Sequence, residues 1–265
     1  MNVNVDTTLR VSLLGPLEVT VGGEPMTLGG LGKRALLATL ALNLGTVVGV
    51  SRLVQVIWDD HPPMTATTKL QGHISALRQS LVRLGGPEAA NALQTRPPGY
   101  VLCGHRTSTD LACFDELTRR GAGARLPEGA EQRVASLSAA LGLWRGSACV
   151  DVRSAGVAVI AASLDERRWR AMEDLAEAQL VLGDHNAVID AMEPLVRQWP
   201  YRERAWEHLI EAHVRRGDVA SALAVHDQLC RILAADLGVG PGQRIGRLVS
   251  TIRAGAGVSA PLVDR

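Results

Sequence analysis

Long apolar runs are missing from this 265-residue chain. No window reaches the roughly 18 apolar residues that a membrane span requires, so no membrane partner is expected. The opening Met1-Asn-Val-Asn-Val-Asp has no basic stretch followed by an apolar run. No secretory leader is read there, and a cytoplasmic, nucleoid-associated location is the expectation. Cysteine is scarce: Cys103, Cys113, Cys149 and Cys230 lie far apart, with no C-x-x-C and no histidine at ligand spacing. Buried or half-buried thiols are expected, with neither a disulfide framework nor a metal site. Signatures of catalysis are lacking too. Gly29-Gly30-Leu31-Gly32-Lys33-Arg34 fails as a phosphate loop, because Thr27 stands where the first glycine is needed and Arg34 where Ser or Thr is needed. Gly146-Ser147-Ala148-Cys149 reads as a loop, without the strand-turn-helix context of a nucleophile elbow. No paired-carboxylate pocket is visible, and neither enzyme activity nor a cofactor is expected.

What is present is an ordinary globular balance, 46% hydrophobic and 21% charged, with length for one large domain or two ordinary ones. A net charge of +1 says nothing of partners, but its distribution does. Residues 1–109 hold nine Arg/Lys against six Asp/Glu, net +3, and residues 110–265 hold nineteen against twenty-one, net −2. Within 64–109, Lys69, Arg78, Arg83, Arg96 and Arg106 face Glu88 alone. A local basic patch of this kind is either a solvated face or the footprint of a nucleic acid.

The pattern predicts strands in "LRVSLLGPLEVTVGG", broken at Gly15-Pro16 and turned at Gly22-Gly23, and a short strand at 26–28. The period then changes. Leucines 36, 37, 40 and 44 form a helical stripe from Leu31 to Leu44, stopped by Gly45. Ser51 is read as the N-cap of a second helix ending at Trp58 before Asp59-Asp60-His61-Pro62-Pro63. A third helix is expected from Thr65 to Leu84, with Leu70, Ile74, Leu77 and Leu81 inward. A hairpin over 92–103 follows, its turn at 96–99. Three helices and a hairpin behind an antiparallel N-terminal sheet give an α+β winged helix-turn-helix.

Beyond Asp110 the chain reads as all-helical. "AEAQLVLGDHNAVIDAMEPLVRQWP" (176–200) aligns with "IEAHVRRGDVASALAVHDQLCRILA" (210–234) at an offset of 34 residues. Glu177 matches Glu211, Ala178 matches Ala212, Gly183-Asp184 matches Gly217-Asp218, and Leu195 matches Leu229. That is the period of tetratricopeptide (TPR) helix pairs. Residues 111–145 read as a degenerate pair, 157–182 as one long helix, and the stretch after Leu237 as a turn and a terminal helix.

On the third helix, Thr68, Gly72, Ser75, Ala76 and Gln79 lie opposite the leucine stripe, flanked by Lys69 and His73 on one side and Gln71 and Arg78 on the other. The outward face is small, polar and acid-free. Such a helix can sink into a major groove while flanking cations reach phosphates. Gly72 costs about 1 kcal/mol relative to Ala, a cost that close approach to a ligand explains. In "QTRPPGYVL" (94–102) Pro97-Pro98 stiffens a wing tip, Gly99 is expected to supply a special dihedral, Tyr100 anchors the base, and Arg96 is poised for a minor groove or a phosphate.

The stretches "RVSLLGPLEV", "KRALLATLALNLGTVV", "VSRLVQVIW", "TKLQGHISALRQSL", "TRPPGYVL", "DLACFDEL", "ALGLWRG", "LDERRWRAMEDLAEAQLVLGDH" and "ADLGVGPG", in that order, resemble the Streptomyces antibiotic regulatory protein family over residues 9–254. The resemblance implies a mainly α protein: an OmpR/PhoB-type winged helix over 1–109, then a bacterial transcriptional activation domain of TPR-like helices over 110–265. It implies an activator of secondary-metabolite gene clusters that binds direct repeats in double-stranded promoter DNA, as a homodimer there, and contacts the sigma and other subunits of RNA polymerase. Arg52 and Trp58 match phosphate-contacting positions. Thr68, Gly72, His73, Ser75 and Ala76 match groove-facing positions, Arg78 a DNA-backbone contact, and Arg96 the wing arginine. Lys69 joins them as a flanking cation. Members often carry an aromatic at position 73 and an arginine near 76, where this chain has His73 and Ala76. The alternative reading is a TPR-type protein-binding scaffold without specific DNA recognition. On the division of charge, a fragment of residues 1–109 is expected to recognise DNA alone.

Overall fold

The computed structural model describes residues 9–256. The Met1–Asp6 stretch and the outer ends of both expected domains lie outside the described residues. The chain forms two compact units that do not follow chain order: residues up to 117 and 139–168 make the first, 118–138 and 169 onward the second.

The first unit opens with β1 (Leu9–Ser12), β2 (Glu18–Val21) and β3 (Glu24–Pro25). Leu9, Val11, Val19 and Val21 alternate inward, so the β1–β2 register (Leu9 opposite Val21) puts every apolar side chain on the buried face. The third strand lies at 24–25 rather than 26–28, because Met26 turns its side chain into the core while its N–H donates to Val19 O at 2.8 Å. A fourth strand, β7 (Thr107–Thr109), joins the free edge of β1 in parallel, giving the order β3-β2-β1-β7.

Helix α1 (Leu31–Leu42) buries Leu36, Leu37 and Leu40. It stops before Leu44: Asn43 donates its Nδ2 and its backbone N–H to Thr39 O, and Gly45 N–H turns away to Leu102 O. Next come β4 (Val48–Gly49), α2 (Val50–Trp58) and α3 (Ala66–Gly85). Ser51 is no N-cap. The cap lies two residues earlier, at Gly49, which has no side chain to bond, and Ser51 is exposed in the first turn. After a 3-10 segment, β5 (Leu93–Arg96) and β6 (Gly99–Leu102) form the hairpin, and β4 pairs with β6 to make a second sheet, β4-β6-β5.

Three helices follow: α4 (Asp110–Gly123), α5 (Ala130–Leu141) and the 28-residue α6 (Ala155–Leu182). Residues 110–117 and 139–168 hold the Leu13–Leu17 turn of the first unit. Asp110 accepts from Leu13 N–H (2.7 Å) and Leu14 N–H (3.0 Å), and Asp151 accepts from Leu17 N–H (2.8 Å). In return Arg145 N–H donates to Leu14 O and Cys149 N–H to Leu13 O. Asp151 also pairs with Arg34 on α1. Ser154 Oγ donates to Val56 O near the end of α2 at 2.7 Å. Cys103 and Cys149 are buried and Cys230 half-buried as expected, but Cys113 is exposed.

The second unit stacks α7 (His185–Gln198), α8 (Glu203–Arg215), α9 (Val219–Leu237) and α10 (Gln243–Ala256) on the C-terminal part of α6. The 34-residue match has a physical basis at the turns. Gly183 and Gly217 take φ of 81° and 85°, a region that favours glycine. Asp184 and Asp218 then cap α7 and α9, accepting from the N–H of Ala187 and of Ser221. Leu195 and Leu229 occupy equivalent core sites. A charged cluster joins α5, α6 and α8: buried Glu173 accepts from Arg202 Nε at 3.0 Å, and Arg204 bridges Asp174 (2.6 Å) and Glu177 (3.1 Å), which also meets Arg133. The protein is thus mainly helical, a winged helix-turn-helix behind an N-terminal sheet and an all-α TPR-like array. Among the described residues no helix is long and apolar enough to cross a membrane.

Candidate nucleic-acid interface

Helix α3 owes its orientation to its stripe. Leu70, Ile74, Leu77 and Leu81 are all buried, which turns Thr68, Lys69, Gly72 and Ser75 to solvent and leaves Ala76 half-buried. No carboxylate lies on this helix. Among the described residues, a Cβ built on Gly72 meets nothing within 4 Å, so the position is open space.

His73 does not share that openness. Its ring lies half-buried, stacked on Trp58 with centroids 6.2 Å apart, and a Cβ on Gly32 of α1 would come within 2.9 Å of its Nε2. Burial, then the positive charges of Lys33 and Lys69, hold its pKa below the usual histidine value. Trp58 is correspondingly half-buried, its ring packed on His73 at the end of α2. Arg52, near the start of α2, is exposed and donates to Gln55 Oε1 at 3.1 Å.

Arg78 is half-buried and tied to the hairpin. Its Nε donates to Leu93 O and its Nη2 to Thr95 Oγ1, each at 2.9 Å. At the end of β5, Arg96 is exposed, with Nη2 on Gln94 Oε1 at 3.2 Å. Pro97 and Pro98 form the exposed tip and Tyr100 is buried at the base. Gly99 serves a different purpose from the one expected. Its φ is not in the left-handed region, but a Cβ there would stand 1.9 Å from Val48 O. Glycine is required because β4 passes against it, and Val50 N–H donates to Pro98 O at 3.2 Å.

The structure therefore brings Thr68, Lys69, Gly72, Ser75 and Ala76 onto one outward stretch of α3, with Arg78 linking that helix to the strand that carries Arg96. It turns His73 and Trp58 toward each other. A cleft of about 580 Å³ between α3 and the hairpin, lined in part by Gln79, Val82 and Arg83, was not among the expected features. The spacing of Ser75, Gln79 and Arg83, one helical turn apart, is the signal in the sequence that marks it. Among the described residues no group of three or more His, Cys, Asp or Glu side chains is placed to hold a metal.

An acid-free helix presented beside an arginine-bearing wing, in a chain that continues into a helical repeat array, defines a winged-helix transcriptional regulator. The comparisons agree. Residues 27–102 match the family described as "Transcriptional regulatory protein, C terminal", and residues 109–253 match "Bacterial transcriptional activator domain". The chain belongs to the Streptomyces antibiotic regulatory protein family. It is 34% identical over 259 residues to the regulatory protein DnrI of Streptomyces peucetius, covering 94% of each chain. It is 34% identical over 248 residues to the transcriptional regulatory protein EmbR of Mycobacterium tuberculosis, covering 93% of this chain and 64% of that one. The solved structure of M. tuberculosis EmbR, in complex with a low-affinity phosphopeptide, superposes with a TM-score of 0.88 over 93% of this chain and 65% of that one. The chain thus spans less than two thirds of the length of EmbR.

Proposed function

We propose that this protein is a sequence-specific activator of a secondary-metabolite gene cluster of the antibiotic type. It binds direct repeats in double-stranded DNA upstream of promoters, two copies side by side, and recruits RNA polymerase. Residues 1–109 read DNA and residues 110–265 carry activation. The observation that carries this reading is the acid-free outward face of α3 beside Arg96 of the wing. In it Thr68, Gly72, Ser75 and Ala76 approach base edges, while Lys69, Arg52 and Arg96 meet phosphates or the minor groove. Arg78 borders the same face. His73 and Trp58 support the face from behind, each through the other's ring.

Footprinting with the full chain on DNA upstream of the neighbouring biosynthetic genes tests it. Protection of two tandem half-sites, and stimulated transcription from that promoter with purified polymerase, are expected. Equal retention of unrelated duplexes, or of none, would replace this reading with a helical-repeat scaffold that binds protein alone.

A further inference from the structure

A helix seated in a major groove and a wing in the adjacent minor groove straddle the sugar-phosphate strand that separates the two grooves. Between α3 and the hairpin lies the cleft of about 580 Å³. Ile74, Val82 and Tyr100 make its apolar surface, suited to a deoxyribose. Two guanidinium groups, Arg78 and Arg83, lie on its walls, and among the described residues no carboxylate lines it.

The two arginines are held differently. Arg83 is exposed in the last turn of α3, where Nη2 donates to the neutral Ser80 Oγ at 3.3 Å. Its charge is thus not met by an acid in any bond the structure records for it. Arg78 instead spans from α3 to β5 with two donors of one planar fork, on Leu93 O and Thr95 Oγ1. Thr95 is the residue before Arg96, so the same two bonds set where the wing arginine stands.

We propose that this cleft seats one sugar-phosphate strand of the bound duplex, with Arg83 as its phosphate contact and Arg78 as a positioning residue that holds the wing, and Arg96 with it, at the required distance from α3. The proposal rests on the DNA-binding reading above.

The test uses the full chain and a duplex selected from a randomised pool by the wild-type protein. Arg83→Gln should weaken binding about tenfold or more, on selected and random duplexes alike. It should also shallow the dependence of log K on log salt by about 0.9. Arg78→Lys keeps the charge but cannot reproduce the fork, and Thr95→Val removes one of its acceptors at an exposed position. Both should keep the major-groove protection under α3, yet lose minor-groove protection under the wing. Thr95→Ser should restore it. An unchanged slope in Arg83→Gln overturns the phosphate assignment. Retained wing protection in Arg78→Lys and Thr95→Val, or joint loss of both protections in folded protein, overturns the positioning role. A wild-type chain that retrieves no duplex from the pool overturns the DNA-binding reading itself, and the cleft assignment with it.

Discussion

Cutting the chain after residue 109 removes more than an activation surface. The Leu13–Leu17 turn and the end of α2 lose, among others, six hydrogen bonds: three from Leu13, Leu14 and Leu17 N–H to Asp110 and Asp151, two from Arg145 and Cys149 N–H, and one from Ser154 Oγ to Val56 O. At about 1 kcal/mol each, more for those to carboxylates, the loss is about 6 kcal/mol or greater. A small domain is stable by only about 5–15 kcal/mol. A fragment of residues 1–109 should therefore melt at least about 20 °C below one of residues 1–168, or show no cooperative melt. Its DNA affinity should fall with the folded fraction. Asp110→Ala in the full chain removes two of the six bonds and should lie between. Circular dichroism melts of the three proteins decide the matter. Equal, cooperative melting of the 1–109 and 1–168 fragments would falsify the claim that residues beyond 109 complete the winged-helix unit.

Other perturbations probe single positions. Gly72→Leu places its side chain in open space and gains up to about 1 kcal/mol of helix propensity, so melting should hold or rise while duplex binding is lost; intact binding would show that Gly72 does not face the groove. Arg52→Ala should weaken selected and random duplexes equally and shallow the salt slope by about one unit, and an unaltered slope removes Arg52 from the interface. In the second unit, burial, with Arg204 and Arg244 adding to it, pushes the His208 pKa down to about 4, and neither ring nitrogen has a hydrogen-bond partner among the described residues. Above pH 6.5 the ring is neutral folded or unfolded and contributes nothing to the pH dependence. As the pH falls through 6.5 towards 4, the unfolded chain takes up a proton that the folded one refuses, and stability is lost by up to about 3 kcal/mol. His208→Leu should flatten that part of the acid limb in a pH series of denaturant melts; an identical limb would mean the ring is solvated.

The elements legible in the sequence are those with a period or a strong stop. The 4-3-4 spacing of Leu70, Ile74, Leu77 and Leu81 announces α3 and its outward face, and the 34-residue offset announces the repeat pairs, because each pattern repeats one packing need several times. Strands of two or three residues, such as β4 and β7, are too short to show a period. The reason for Gly99 is visible only once β4 is placed against it. No local pattern shows that Asp110 and Asp151 serve backbone groups 97 and 134 residues away. His73 and Arg78 sit at positions that a helical wheel turns outward or to the flank. Trp58 draws the first ring inward, and the carbonyl of Leu93 draws the guanidinium of the second across to the hairpin.

The glycine-aspartate pair at each repeat turn makes a standard joint. Glycine ends one helix, aspartate starts the next, and neither depends on a residue outside its own turn for the bond it makes. A segment of 34 residues duplicated in frame at Gly183 or Gly217 would arrive with both halves of that joint intact. The length of the array is therefore a quantity that duplication can change in whole steps, lengthening the helical surface while the winged-helix end of the chain keeps its sequence.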